Sequence, residues 1–231
     1  MIGIFDSGVG GLASYREVRR LLPREDIIYL ADRKNAPYGT KTKEELIPLV
    51  SEDIRRLSAM GAERILIACC TASAVYPLLD SVLQKAATPI IIPSASEAAA
   101  LGERITVIAT EYTAKSLAFT KAIIAKNPRA EVTEISAQRL VALVEGGASD
   151  GALDESSERT VERIAERIRA THPEVLILGC THFSHLSWEL SDRLPCVKTV
   201  TPAIVGAREF VKKYIEEKNT VSRERGRTVY A

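Results

Sequence analysis

Ile65-Leu66-Ile67-Ala68-Cys69-Cys70-Thr71 and Leu176-Ile177-Leu178-Gly179-Cys180-Thr181-His182 are two versions of one pattern. Each is a short run of branched aliphatic residues that closes on a small residue, a cysteine and a threonine. Runs this short and this apolar read as strands buried on both faces of a parallel sheet. Working outward, residues 2–5, 27–30, 89–92, 105–109, 132–135 and 197–200 have the same character, and with 65–68 and 175–179 they make eight expected strands. Helical faces lie between them. Leu12, Tyr15, Val18 and Leu22 share one side of a helix, and Val161, Ile164, Ala165 and Ile168 follow the i, i+3, i+4, i+7 rule. Thr42 and Glu45 have the spacing of a capping box. Pro48 soon after them predicts a kink or a late helix start.

Alternation of this kind predicts an α/β fold with helices on both faces of the sheet. The paired cysteine runs, together with residues 2–5 and 105–109, which both lead into polar small-residue loops, predict two similar doubly wound lobes facing each other. A length of 231 residues allows one large domain or two small ones. The net charge of +1 gives no basic or acidic face that would draw nucleic acid or an anionic membrane surface. Residues 223–227 alternate Arg with Glu224 and read as a solvated tail. No apolar run approaches the roughly 20 residues of a membrane helix. Residues 2–5 lack the basic leader and long apolar segment of an export signal, so a cytoplasmic location is expected. Cys69, Cys70, Cys180 and Cys196 should then stay reduced. Cys196, after Pro195, is expected to serve packing.

Ligands of open α/β sheets bind beyond the carboxyl ends of the strands. Four polar loops fall there: Asp6-Ser7-Gly8, residues 32–39, Cys69-Cys70-Thr71 and Cys180-Thr181-His182. The first continues as Gly8-Val9-Gly10-Gly11-Leu12-Ala13, which satisfies the dinucleotide pattern G-x-G-x-x-G/A, with Asp32 in the place of its acidic partner. Asp6 argues against that reading, because a carboxylate at this turn repels a pyrophosphate. A glycine turn that only lets a helix pack is the plain alternative.

A single cysteine after a buried strand ordinarily serves packing. Two at equivalent strand ends, each beside hydroxyls, point to thiol chemistry, which needs a lowered pKa or a neighbouring base. His182 could be that neighbour for Cys180, and Asp6 for Cys69 if their strands are adjacent. Zinc is the competing reading of Cys69, Cys70, Cys180 and His182, although C-x-x-C spacing is absent. His172 and His185 read as surface residues.

Taken in order, Asp6-Ser7-Gly8-Val9-Gly10-Gly11, Pro37-Tyr38-Gly39, Ala68-Cys69-x-Thr71-Ala72 and Gly179-Cys180-Thr181-His182 resemble the motifs of the cofactor-independent aspartate/glutamate racemases. Thr110-x-x-Thr113-x-x-Ser116 and Val144-Glu145-x-Gly147 are similar to weaker motifs of that family. The resemblance implies a first lobe of residues 1–93 plus 205–231, a second of residues 94–204, and an active site in the cleft between them. It implies no cofactor and no metal, with a small amino acid, glutamate, as the ligand. It leaves a homodimer open. Cys69 and Cys180 would flank the α-carbon, with Asp6 beside the first, His182 beside the second and Glu145 supporting the histidine. Ser7, Tyr38, Gly39, Cys70, Thr71, Thr113 and Thr181 would hold the substrate. The implied activity is interconversion of L- and D-glutamate, supplying D-glutamate for peptidoglycan. A racemase of another amino acid such as aspartate, and a non-catalytic amino-acid-binding relative, remain alternatives. Three positions depart from the family. Cys70 stands where it has asparagine, Ile92-Pro93-Ser94-Ala95 replaces a Glu-Pro-Gly segment, and Thr201 replaces the aspartate before Pro202.

Overall fold

The computed structural model describes residues 1–145 and 153–225. Among them, eight strands form two four-stranded sheets in which every neighbouring pair is parallel. The first sheet holds β1 (Ile2–Asp6), β2 (Ile27–Ala31), β3 (Arg64–Ile67) and β4 (Ala87–Pro89), in the order β2-β1-β3-β4. The second holds β5 (Arg104–Ala109), β6 (Glu131–Ser136), β7 (Val175–Gly179) and β8 (Lys198–Val200), in the order β6-β5-β7-β8. The chain traces the same path twice, so β1 corresponds to β5 and β3 to β7. The two cysteine runs are therefore equivalent strands of two lobes, as their sequences suggested.

The helices in chain order are α1 (Leu12–Leu21), α2 (Lys43–Ala59), α3 (Cys70–Val75), α4 (Ser81–Ala86) and α5 (Ile91–Leu101). After β5 come α6 (Glu111–Ser116), α7 (Ala118–Ile124), α8 (Gln138–Leu143), α9 (Glu155–Arg169), α10 (Ser187–Arg193) and α11 (Pro202–Arg225). One apolar cluster joins Phe5 and Ile67 of the first sheet to Ile54 and Leu57 of α2. Another joins Ile108 and Leu178 of the second sheet to Val161, Ile164 and Ile168 of α9. The third belongs to both lobes. It brings Ile4, Leu66, Val107 and Ile177 from the two sheets against Ala95 and Ala98 of α5 and Phe210 and Val211 of α11. The central strands β1 and β7 are buried along their whole length, whereas the edge strand β6 exposes alternate residues because only one of its faces is covered.

Three expectations need correction. Residues 89–92 are not a strand: β4 ends at Pro89, and Ile91 and Ile92 open α5. Ile90, Ile91 and Ile92 make a short apolar run that passes for a strand although Ile92 is half exposed, which periodicity cannot resolve over four residues. Pro48 neither delays nor ends α2, which starts at Lys43. The Thr42 side chain accepts from Glu45 N, and the Glu45 carboxylate accepts from Thr42 N at 2.8 Å. That capping box fixes the start, and Pro48 costs only the hydrogen bond to the Glu44 carbonyl. Cys196 is exposed, in the turn after α10.

The helix α11 leaves the second sheet, packs on α1 and α5 and touches β3 and β7. Ser14 on α1 is fully buried and donates to the Ala203 carbonyl at 2.8 Å, fastening the first lobe to the start of α11. Ser14→Ala removes that bond with little change of volume. We expect a loss of about 0.5–1.5 kcal/mol, seen as a lower urea midpoint with an unchanged m-value. An unchanged midpoint would show that the hydroxyl contributes nothing to the joint.

Candidate active site

Because Phe5 lies opposite Ile67 in the β1–β3 pair, Asp6 and the Ala68-Cys69 step leave the sheet side by side. Ala109 lies opposite Gly179 in the β5–β7 pair, so Thr110 and Cys180 leave the second sheet in the same way. The two carboxyl edges meet around one narrow cavity of about 20 Å³, to which both Cys69 and Cys180 contribute. That is room for about one water molecule.

Cys69 is the N-cap of α3, and its Sγ lies 3.5 Å from both Ala72 N and Ser7 Oγ. Burial, and then the negative charge of Asp6, push this thiol up to about 11. The Cys180 Sγ lies 3.6 Å from Nδ1 of His182. Burial again raises it strongly, against the His182 backbone N–H, and the charges of Cys69, Asp6 and Glu145 raise it further. Both groups are thus held as neutral thiols near neutral pH.

Asp6 is completely buried and lies behind the cavity wall. Its Oδ1 accepts from Gly8 N at 2.7 Å, its Oδ2 accepts from Thr181 Oγ1 of the other lobe at 3.2 Å, and Gly11 N donates to the carboxylate as well. Burial raises its pKa, and the nearby His182 charge and these three donors pull the other way. Two readings of Asp6 meet the structure here. The carboxylate occupies the N-terminal end of α1, where a dinucleotide pyrophosphate would have to sit, so the glycine motif is not a nucleotide site. Asp6 also gives no hydrogen bond to Cys69, and its charge opposes the thiolate.

The remaining expected residues sort by layer. Ser7, Gly39, Cys70, Thr71, Thr181, His182 and Glu145 line the cavity. Tyr38 lines it with its ring, while its hydroxyl turns away to Asp32 and Asp53. Thr113 does not reach the cavity. It stands behind Thr71 and Thr110, and the three hydroxyls form a buried triangle with separations of 2.8, 3.0 and 3.2 Å. Thr71 belongs to the first lobe and the other two to the second. Glu145 Oε1 is 3.4 Å from Nε2 of His182, close enough for charge attraction but without hydrogen-bond geometry. Gly147 lies outside the described residues. Among the described residues, no three His, Cys, Asp or Glu side chains are arranged to hold a metal ion. Sequence reasoning missed Gln138 and Val141, which line the second-lobe wall from α8. The available signal was position: Gln138 follows β6 at the same carboxyl edge.

The family model of the Asp/Glu/Hydantoin racemases matches residues 2–209. The chain belongs to this racemase family. It is 38% identical over 212 residues to the glutamate racemase of Gloeobacter violaceus, covering 91% of this chain and 79% of that one. Its fold matches the crystal structure of Francisella tularensis glutamate racemase in complex with D-glutamate, with a TM-score of 0.84 and 28% identity over 94% of this chain and 81% of that one. It also matches a glutamate racemase isoform from Bacillus anthracis, with a TM-score of 0.85 and 29% identity over 94% and 82% of the two chains.

In this racemase the two lobes touch through glycine. A Cβ on Gly10 would overlap Thr181 Oγ1 and stand 3.0 Å from His182 N and Nδ1. Gly10→Ala should therefore separate the lobes beside Cys180. Displacement of about 1 Å costs on the order of a hundredfold in rate, and we expect that loss in kcat/KM with little change in Tm. Wild-type kcat/KM in a folded Gly10→Ala protein would show that this close approach does not set the site.

Proposed function

We propose that this racemase interconverts L- and D-glutamate, with Cys69 and Cys180 as the two acid/base groups. The observation that carries this reading is the arrival of two buried thiols, from equivalent strands of two lobes, at one cavity. The Francisella complex with D-glutamate supports the choice of substrate. In one direction the thiolate of one cysteine takes the α-proton, the C–H bond breaks and its electron pair is left on the α-carbon, delocalised into the substrate carboxylate. The thiol of the other cysteine then delivers its proton to the opposite face. One thiolate and one thiol have exchanged places, so the return reaction uses them in reverse.

In this reading His182, with Glu145 near its Nε2, attends Cys180, and Asp6 acts through Thr181 and the end of α1. Ser7, Gly39, Cys70, Thr71 and Thr181 meet the amino acid, Tyr38 forms part of the wall, and Thr113 supports Thr71. The steps need no cofactor and no metal. A cavity of one water cannot admit an amino acid, so the lobes must part for binding and close for chemistry, which excludes water from the proton transfer. The lobe division at 93/94 and 205, a cytoplasmic location, a role in peptidoglycan supply and a homodimer belong to the same proposal.

Cys70 favours a second reading, a racemase of a different amino acid such as aspartate. It is fully buried, lines the cavity and offers only a weak donor where the family has an amide. Two tests follow. Cys69→Ala and Cys180→Ala should each lower racemisation of both enantiomers by at least about a hundred- to ten-thousandfold; wild-type turnover in either would contradict the two-thiol mechanism. Cys70→Asn should lower the KM for glutamate by roughly ten- to a hundredfold if the amide is a missing contact. An unchanged or higher KM would favour the different substrate.

A further inference from the structure

Behind the Tyr38 wall of the cavity lie two carboxylates that the proton transfer does not use. Asp32 and Asp53 are both buried, and the Tyr38 hydroxyl lies 2.6 Å from Asp32 Oδ2 and 3.1 Å from Asp53 Oδ2. A tyrosine hydroxyl has one hydrogen to give. The shorter contact places it on Asp32. Asn35 donates to both oxygens of Asp32, at 3.0 and 2.9 Å, so Asp32 is already supplied with donors, whereas Asp53 has Arg56 on one oxygen alone. The contact from Asp53 to the same hydroxyl then lacks a hydrogen unless Asp53 brings one.

We propose that Asp53 is a positioning residue that works protonated, donating to the Tyr38 oxygen and completing a chain Asp53 to Tyr38 to Asp32 that fixes the Tyr38-Gly39 wall of the substrate cavity. Tyr38 and Gly39 form a single turn of 3-10 helix, and Gly39 abuts Thr110 and Gln138 of the second lobe at 2.6 Å from its Cβ position. Holding Tyr38 therefore holds the meeting point of the lobes. The charged and titratable groups facing this cluster are Asp32 beyond β2, Tyr38, Arg56 on α2 and Cys69 at the end of β3. Arg56 Nη1 sits 3.2 Å from Asp53 Oδ1, the oxygen that does not face Tyr38, which leaves Oδ2 to carry the proton. Burial first, and the Asp32 charge second, raise Asp53 to about 6, against the Tyr38 and Arg56 contacts, which pull it down. The proton is present below that pH and is lost above it. The contact then sets an ionised carboxylate against a hydroxyl oxygen whose hydrogen is already given away, and the wall loosens as the pH rises.

The kinetic part of this inference rests on the glutamate reading, whereas the protonation does not, and the experiment separates them. Carbon-13 NMR of the side-chain carboxyls in the substrate-free protein should show one aspartate titrating near pH 6 whose signal is missing from Asp53→Asn. The amide of that variant donates to Tyr38 at every pH. The wild-type KM for glutamate, divided by that of Asp53→Asn, should therefore rise about two- to tenfold between about pH 5 and about pH 7.5, the worth of one hydrogen bond. A carboxyl at Asp53 that stays ionised down to pH 5 would overturn the proposal, and so would a KM ratio that stays flat. Failure to racemise glutamate at all would instead count against the assigned substrate and would leave the NMR arm to decide the proton.

Discussion

A carboxylate stripped of water must find other donors, and Asp6 finds them in both lobes. Its own lobe offers Gly8 N and Gly11 N at the start of α1, and the other offers the Thr181 hydroxyl. None of these suffices alone for a group with no solvent exposure. The fold must therefore bring Thr181 across the cleft, and Thr181 sits between Cys180 and His182. Closing the lobes around Asp6 is what delivers the second thiol to the cavity that holds the first. The glycines follow from the same demand, since a side chain at Gly10 or Gly11 would meet Thr181 or the Asp6 carboxylate itself. Ser14 on Ala203 and the threonine triangle are further joints in the same closed arrangement.

Closure sets the electrostatics. Cys69 and Cys180 are raised first by burial and further by the negative charge around them. In such surroundings a new positive charge has a large effect, because little water screens it. In the proposed mechanism, the substrate's ammonium group lowers the cost of a nearby thiolate, so the substrate itself supplies what the protein withholds. This fits a site that parts to bind and shuts to react. It also gives Asp6 a consistent place in the proposed mechanism: it ties the lobes through Thr181, and when ionised it opposes a thiolate at Cys69 or Cys180.

Much of this was legible in the sequence, for identifiable reasons. The central strands are buried on both faces, so β1, β3, β5 and β7 announce themselves as short aliphatic runs. Their carboxyl ends carry the polar residues, and Cys69 and Cys180 stand out because the duplication repeats them. The failures are equally physical. The start of α5 reads as a strand because Ile90, Ile91 and Ile92 form one short apolar run although Ile92 is exposed, and Pro48 reads as a helix breaker although the capping box before it fixes the helix start. Layer was the hardest property to see. Thr113 and Asp6 lie one layer behind the cavity, the hydroxyl of Tyr38 faces backward, and Gln138 opens α8 after an edge strand without any cysteine to mark it. Sequence spacing specifies which loop a residue occupies, but its depth depends on packing across the lobes.

The central claim is that two different thiols serve the two faces of the α-carbon. Racemisation in deuterium oxide, followed to low conversion, tests it most directly. The account predicts that the product enantiomer carries deuterium at the α-carbon while the recovered substrate enantiomer stays protonated, and that this holds from either enantiomer, because the acid that delivers the proton is not the base that took it. Deuterium appearing equally in recovered substrate and product would mean that one group serves both faces, and would contradict the account.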